Sequence, residues 1–410
     1  MDKQQNKTPL VRFPEFKDDW EHKQLNKLLS VSKTTNKDLK YGKEEVLSVS
    51  GKLGIVNQIE HLGRSYAGVS VHNYGVVELN QIVYTKSPLK ANPYGIIKLN
   101  KHKAGIVSTL YAVYIVNENT DGQFIEYYFL LDANLNRYLR PLVRKGAKND
   151  MKISNEYVLN DRVFAPQKKE QQKIAHFFTT LDKKINQLEE NKNGLEQYKK
   201  GMMQQIFSQE LRFKDENGND FPDWEEKKLG EVGKALIGLT YSPNDVVSSK
   251  GTLVLRSSNV QNKRLAFYDN VYVQGRIAEK NFVKENDILI CARNGSRSLI
   301  GKAALISKEY ENCAFGAFMS IYRSAFNKFF FHVFQTDIFD KQITQHLGAT
   351  INQITNKSLI SFKFPIPCKK EQTKIANFLS KIDAKINAVN EQIEQTNTYK
   401  KGLLQSMFVN

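Results

Sequence analysis

The chain contains one segment written twice. Residues 168–207, KKEQQKIAHFFTTLDKKINQLEENKNGLEQYKKGMMQQIF, align without a gap on residues 369–408, KKEQTKIANFLSKIDAKINAVNEQIEQTNTYKKGLLQSMF, at an offset of 201. Identical pairs include Glu170/Glu371, Ile174/Ile375, Asp182/Asp383, Ile185/Ile386, Tyr198/Tyr399, Gly201/Gly402 and Phe207/Phe408. Upstream, ISNEYVLNDRVFAP (153–166) parallels ITNKSLISFKFPIP (354–367). Each half also opens alike, RFPEFKDDWEHKQL (12–25) beside RFKDENGNDFPDWEEKKL (212–229), so the only tryptophans, Trp20 and Trp224, correspond. Between these frames the contents differ. A frame that repeats around distinct contents suits a chain that reads two different things from one scaffold.

The repeated segments are helices by periodicity. Alternating steps of four and three place Ile174, Phe178, Leu181, Ile185, Leu188, Leu195 and Met202 on one stripe of the first. They place Ile375, Leu379, Ile382, Ile386, Val389, Ile393 and Leu403 on one stripe of the second. Apolar residues at this spacing form a coiled-coil seam, and forty residues make a rod of roughly 60 Å. Lys192, Lys199, Thr396 and Lys400 interrupt the seam, either to set register and orientation or to mark where another subunit packs. The remaining chain reads as mixed α/β. GVVELNQIVYT, GIVSTLYAVYIV, DILICAR and GKAALIS are short β-branched runs bounded by Gly, Asn and Asp. Helical spacing returns late in each body, in IEYYFLLDANLNRYL and FHVFQTDIFDKQIT. The predicted divisions are a first globular domain (1–166), a first helix (167–207), a linker (208–220), a second globular domain (221–367) and a second helix (368–410).

Net charge is +17, and its placement is informative. Residues 1–166 carry +7 and residues 221–366 carry +6, whereas residues 167–220 carry only +1. Two basic bodies flanking a neutral segment suggest two polyanion-binding surfaces. No apolar stretch is long enough to span a bilayer, and MDKQQNKTPL is not read as a secretory signal. Cys291, Cys313 and Cys368 lie far apart with no CxxC pair, which fits a reducing cytosol.

Catalytic motifs are approached but not completed. Ala91-Asn92-Pro93-Tyr94 is one proline short of the Asn-Pro-Pro-Tyr loop of amino-methyltransferases, and a β-turn is the simpler reading. Gly295 to Ala303 has five residues between its glycines, not the four of a P-loop, and Ala303 stands where Mg²⁺ needs Ser or Thr. Asp19 and Glu21 (Asp223 and Glu225 in the second copy) sit two apart, where a nuclease draws its carboxylates from neighbouring strands. A segment docking its Trp beside the long helices reads better. No His-Cys cluster has zinc spacing. The expectation is therefore no catalytic residue and no metal ligand.

The pattern Pro-x-x-x-Glu-Gln-x-x-Ile-Ala, followed by Phe and Asp-x-x-Ile, occurs at Pro166–Ile185 and Pro367–Ile386. It resembles the specificity subunits of type I restriction-modification systems, from about Arg12 to Phe408. The resemblance implies a pseudo-two-fold internal repeat. Two globular α/β target recognition domains would each read half of a split sequence in double-stranded DNA. The two helices would pack as an antiparallel coiled coil whose length fixes the gap between half-sites. It also implies a cytoplasmic chain that binds no cofactor. Two modification subunits would use S-adenosylmethionine, and two restriction subunits would use ATP and Mg²⁺. The open alternatives are a restriction enzyme with its own nuclease or methyltransferase site, and a structural coiled-coil adaptor.

Candidate DNA contacts are basic and amide side chains near turn residues. In the first body these are Lys52, Arg64, Lys86, Lys90, Arg144, Lys145, Lys148 and Asn149. In the second they are Arg256, Asn259, Lys263, Arg264, Arg293, Asn294, Arg297 and Lys302. Arg and Asn suit base edges, and Lys suits phosphates.

Overall fold

The computed structural model describes residues 8–89, 92–145, 151–347 and 352–409, without the side chains of Lys145 and Lys152. The repeated segments form two long helices, Lys168–Phe207 and Lys369–Met407. The chain divides into two compact units. One holds residues 1–189 and 391–410, the other residues 190–390. Each unit thus contains one body and half of each long helix, a division that cuts across the boundaries read from the sequence.

The helix halves run antiparallel within each unit. In the first, Ile174 and Phe178 share a core with Leu404, Met407 and Phe408. In the second, Met203 and Ile206 share a core with Ile375, Leu379 and Ile382. Ile185, Leu188, Ile386 and Val389 are buried as the spacing predicts, while Leu181, Leu195 and Ile393 are half-buried. At the far end of each helix the buried stripe moves forward by one residue. Met203 and Leu404 are buried, whereas Met202 and Leu403 are half-buried. A strict seven-residue repeat falls behind a straight α-helix by about 20° per heptad. Four heptads beyond Ile174 the lag is close to the roughly 100° between neighbouring residues, so the next residue takes the buried place.

Three of the four polar interruptions of the seam bond across to the other helix. Lys199 Nζ donates to both carboxylate oxygens of Asp383, at 2.7 and 2.8 Å, in the second unit. Lys400 donates to Asp182 in the first. These are the same pair at the repeat offset. Lys192 donates to Asn390 Oδ1 at 2.9 Å, and Thr396 bonds back to Gln392 O of its own helix.

Each body is built on a four-stranded antiparallel sheet of one topology. In the first unit the strand order is Leu29–Val31, Tyr111–Val116, Ile82–Thr85, Ile97–Leu99. In the second it is Lys234–Ile237, Met319–Arg323, Ile288–Cys291, Ala303–Leu305. Alternate residues of a strand face opposite sides, and here both sides are covered. Ile82, Tyr84 and Tyr114 pack toward the helices, while Val83 and Val113 pack toward Leu47, Ile55, Val77 and Val107. Likewise Ile288 and Ile290 face the helix side, and Leu289, Cys291 and Ile321 face the opposite core. This is why the central strands read as unbroken apolar runs. Helices Gly122–Leu130 and Asp132–Leu139 follow the sheet in the first body. Asn327–Val333 and Asp337–His346 follow it in the second. Among the described residues no helix is long and apolar enough to cross a membrane.

Candidate nucleic-acid interface

The two bodies carry matching loops at the same end of their sheets. In the first, the chain leaves Ile82–Thr85 at Lys86 and returns through Gly95 to the edge strand. In the second it leaves Ile288–Cys291 at Ala292 and returns through Gly301. Both glycines have positive φ, +90° and +85°. At Gly95 a Cβ would fall 2.0 Å from the backbone oxygen of Thr85, and at Gly301 the positive φ itself strains any side chain, so both returns favour glycine. Each loop is pinned at its start to a neighbouring turn. The N–H of Lys86 donates to Leu110 O at 2.9 Å. Those of Ala292 and Arg293 donate to Phe318 O, at 3.0 and 2.9 Å.

The second loop gathers several of the sequence candidates. Arg293 and Arg297 are exposed. The Arg293 guanidinium lies over the Phe318 ring, 5.0 Å from its centroid. Asn294 is spent on the loop itself. Its Nδ2 donates to Ser257 Oγ at 3.0 Å, and its Oδ1 accepts from the Ser296 N–H at 2.9 Å. Asn259 is wholly buried, donates to Ala266 O at 2.9 Å and accepts from the Arg256 N–H at 3.0 Å. These two asparagines build turns, which corrects their reading as base contacts. Arg256 is paired with Asp269 at 3.0 Å, and Arg264 donates to Asn387 on the second long helix. Lys263 is exposed at a hairpin tip, and Lys302 is half-buried beside Gly301.

In the first unit the candidates are more scattered. Lys52 is exposed on the turn that closes the hairpin Leu47–Ser50/Gly54–Asn57. Arg64 covers the Tyr66 ring at 4.5 Å. Arg144 is exposed on a strand paired with Met151–Lys152. Tyr84 Oη donates to Tyr94 O at 2.8 Å and contacts Met151 Sδ at 3.7 Å, which places that pair beside the Lys86 loop. Lys90, Lys148, Asn149 and the side chain of Lys145 lie outside the described residues.

Sequence reasoning missed Leu110 and Phe318, which are 52% and 58% exposed at matching turns. The available signal was a large apolar residue inside a turn, in VSTLYAV and AFGAFMS.

Residues 222–396 match the family model described as the type I restriction modification DNA specificity domain. That match covers the second body and most of the second long helix, and it is a likeness to the type I specificity subunits. The chain is 28% identical over 180 residues to the type I restriction enzyme EcoKI specificity subunit of Escherichia coli (strain K12), covering 42% of this chain and 39% of that one. Against the StySPI specificity subunit of Salmonella potsdam it is 27% identical over the same shares. The alignments thus span about two fifths of each relative's length. The crystal structure of the type I restriction-modification S subunit from M. genitalium shares the fold. Its TM-score is 0.61 at 13% identity, with 98% of this chain and 99% of that one covered.

The repeated Glu-Gln motif has a visible task. Glu170, buried at the start of the first helix, accepts from Arg12 at 2.7 Å through both oxygens and from Trp20 Nε1 at 3.2 Å. Glu371 accepts from Arg212 at 2.8 and 2.9 Å and from Trp224 Nε1 at 3.0 Å. The hydrogen bond to each buried carboxylate raises the pKa of its arginine. Gln171 and Gln372 close the motif by donating to Pro166 O and Pro367 O at 2.8 and 2.9 Å. Strands Glu21–Gln24 and Glu225–Lys228 then pair with Arg162–Ala165 and Lys363–Ile366. Asp19 and Glu21 therefore flank a buried, docked Trp20. Gly301-Lys302 leads into a strand, where a P-loop leads into a helix. Among the described residues no three His, Cys, Asp or Glu converge as a metal site.

Proposed function

We propose that this chain is the DNA-reading, non-catalytic subunit of a type I restriction-modification assembly, each unit reading one half of a bipartite duplex target through its sheet-end loops. One observation carries this reading. The frame is held constant by the Arg-Trp-Glu cluster and the seam ion pair, while the pinned loops of the two bodies present different side chains. Exposed Arg293 and Arg297 supply groove-directed donors in the second body. Exposed Arg64 and Arg144 are available to the first, and lysines such as Lys52 and Lys263 would meet phosphates. Two modification subunits using S-adenosylmethionine, and two restriction subunits using ATP and Mg²⁺, would supply the chemistry in the cytoplasm.

Replacing residues 221–366 with the corresponding body of another specificity subunit tests the reading. The methylated motif of cells carrying the chimaera should change in one half only. Change in both halves would overturn independent readout. The purified chain with S-adenosylmethionine, ATP and Mg²⁺ should neither methylate nor cleave DNA, and turnover by the pure chain would favour an enzyme of its own.

A further inference from the structure

We propose that Arg293 and Phe318 act together as one base-reading element of the second unit, with the Arg293 guanidinium on a guanine and the Phe318 ring on the methyl group of a neighbouring thymine. The inference rests on the DNA-reading function proposed above and names residues within it.

An exposed aromatic is ordinary by itself, but Phe318 is held unusually firmly. Its carbonyl accepts from the N–H groups of Ala292 and Arg293, at 3.0 and 2.9 Å. The turn before it is fixed by the Ala317 N–H on Leu239 O at 2.8 Å and the Met319 N–H on Gly316 O at 2.8 Å. Gly238 lies so close that a Cβ there would fall 2.2 Å from Gly316 O. The backbone of Phe318 therefore does the structural work, and its side chain stays 58% exposed.

Arg293 is the matching half. Four other arginines of the unit are committed: Arg212 to Glu371, Arg256 to Asp269, Arg264 to Asn387 and Arg323 to Asp287. Among the described residues no acceptor is bonded to the Arg293 guanidinium, which lies over the Phe318 ring at 5.0 Å. The ring contact holds the guanidinium beside Phe318 and takes up none of its N–H donors. A guanidinium with its donors uncommitted matches guanine O6 and N7 in the major groove, and an aromatic ring beside it matches a thymine methyl. The first unit has Leu110 and Ser87 at the corresponding places, so the same scaffold there reads differently.

The test uses the full chain assembled with its modification subunits, on a duplex carrying the motif methylated in host DNA. The half-site assigned to the second unit by the domain exchange should contain a guanine beside a thymine on one strand. Replacing that thymine by uracil should weaken wild-type binding by roughly three- to tenfold, and Phe318→Ala should abolish this sensitivity. Replacing that guanine by 7-deazaguanine should weaken it about tenfold or more, and Arg293→Ala should abolish that. Phe318→Leu should restore part of the uracil penalty. Absence of a guanine-thymine step, or penalties unchanged in the variants, would overturn the inference. Equal loss of binding to target and unrelated duplex would also overturn it, because that marks a backbone contact. A wild-type assembly with no preference for the motif would instead overturn the DNA-reading function.

Discussion

In the first unit Lys400 and the Tyr127 hydroxyl both donate to Asp182, the hydroxyl at 2.7 Å. In the second, Lys199 donates to Asp383 and to Gln335 Oε1, at 3.0 Å for the latter, while His332 Nδ1 lies 3.8 Å from the same carboxylate. The ion pair is common to both, and its surroundings belong to each body. The difference teaches how the chain diversifies. Residues that close the frame recur at the repeat offset, and residues that touch the frame from the body vary around them.

The comparison can be broken most forcefully at the buried glutamates. Glu170→Ala leaves Arg12 without its carboxylate in the first unit, and Glu371→Ala does the same to Arg212 in the second. Each should cost its own unit about 3 kcal/mol. Trp20 and Trp224 report one unit each, so denaturation followed by fluorescence, with the other tryptophan changed to Phe, separates the effects. Equal loss in both units from either change would show that they do not melt separately.

Acid should distinguish the units next. Burial first, then the positive charges of Lys199 and Lys263, push His332 down to about 3. A histidine whose folded pKa lies below its unfolded value of roughly 6.5 favours the folded state least in acid. Its contribution is intact above about pH 6.5 and is lost as pH falls from there toward 3. By pH 5 the second unit should have lost about 2 kcal/mol through this group. His332→Gln should flatten that limb, read on Trp224, and an unchanged limb would refute the assignment.

Smaller effects sharpen the comparison at the seam. Lys199→Met and Lys400→Met should each cost about 1–2 kcal/mol, because Asp182 and Asp383 keep partial access to water. Lys199 is the more revealing site, since burial lowers its pKa against the pull of Asp383. Gly194→Ala should act in the opposite direction. A Cβ there meets nothing within 4 Å, so thermal unfolding should show a gain of about 0.5–1 kcal/mol.

The repeat, both long helices and the strand-rich bodies were legible because each rests on local periodicity. The stripe gave way at Met202 and Leu403, where a strict heptad has lagged behind the helix and the neighbouring Met203 and Leu404 are buried instead. The roles of Asn259 and Asn294 were hidden because their partners, Ala266 and Ser257, are brought close only by the fold. Arg264 was hidden for the same reason, its acceptor Asn387 being 123 residues away. The Glu-Gln motif was visible as a pattern, but its task needed Arg12 and Trp20, some 150 residues upstream.

The division of each long helix between units has a consequence for synthesis. Residues 190–390 are contiguous, so the second unit has all its parts once residue 390 has emerged. The first does not. Phe408 packs against Trp20, Phe124 and Phe178, and with Leu404, Met407 and Val409 it completes a core otherwise drawn from the first 181 residues. At roughly 5–20 residues per second, a nascent first unit waits on the order of 10–40 s for that ring. The body translated first is thus the last to close, and a ribosome stalled past residue 207 would present its unfinished apolar face to chaperones and proteases.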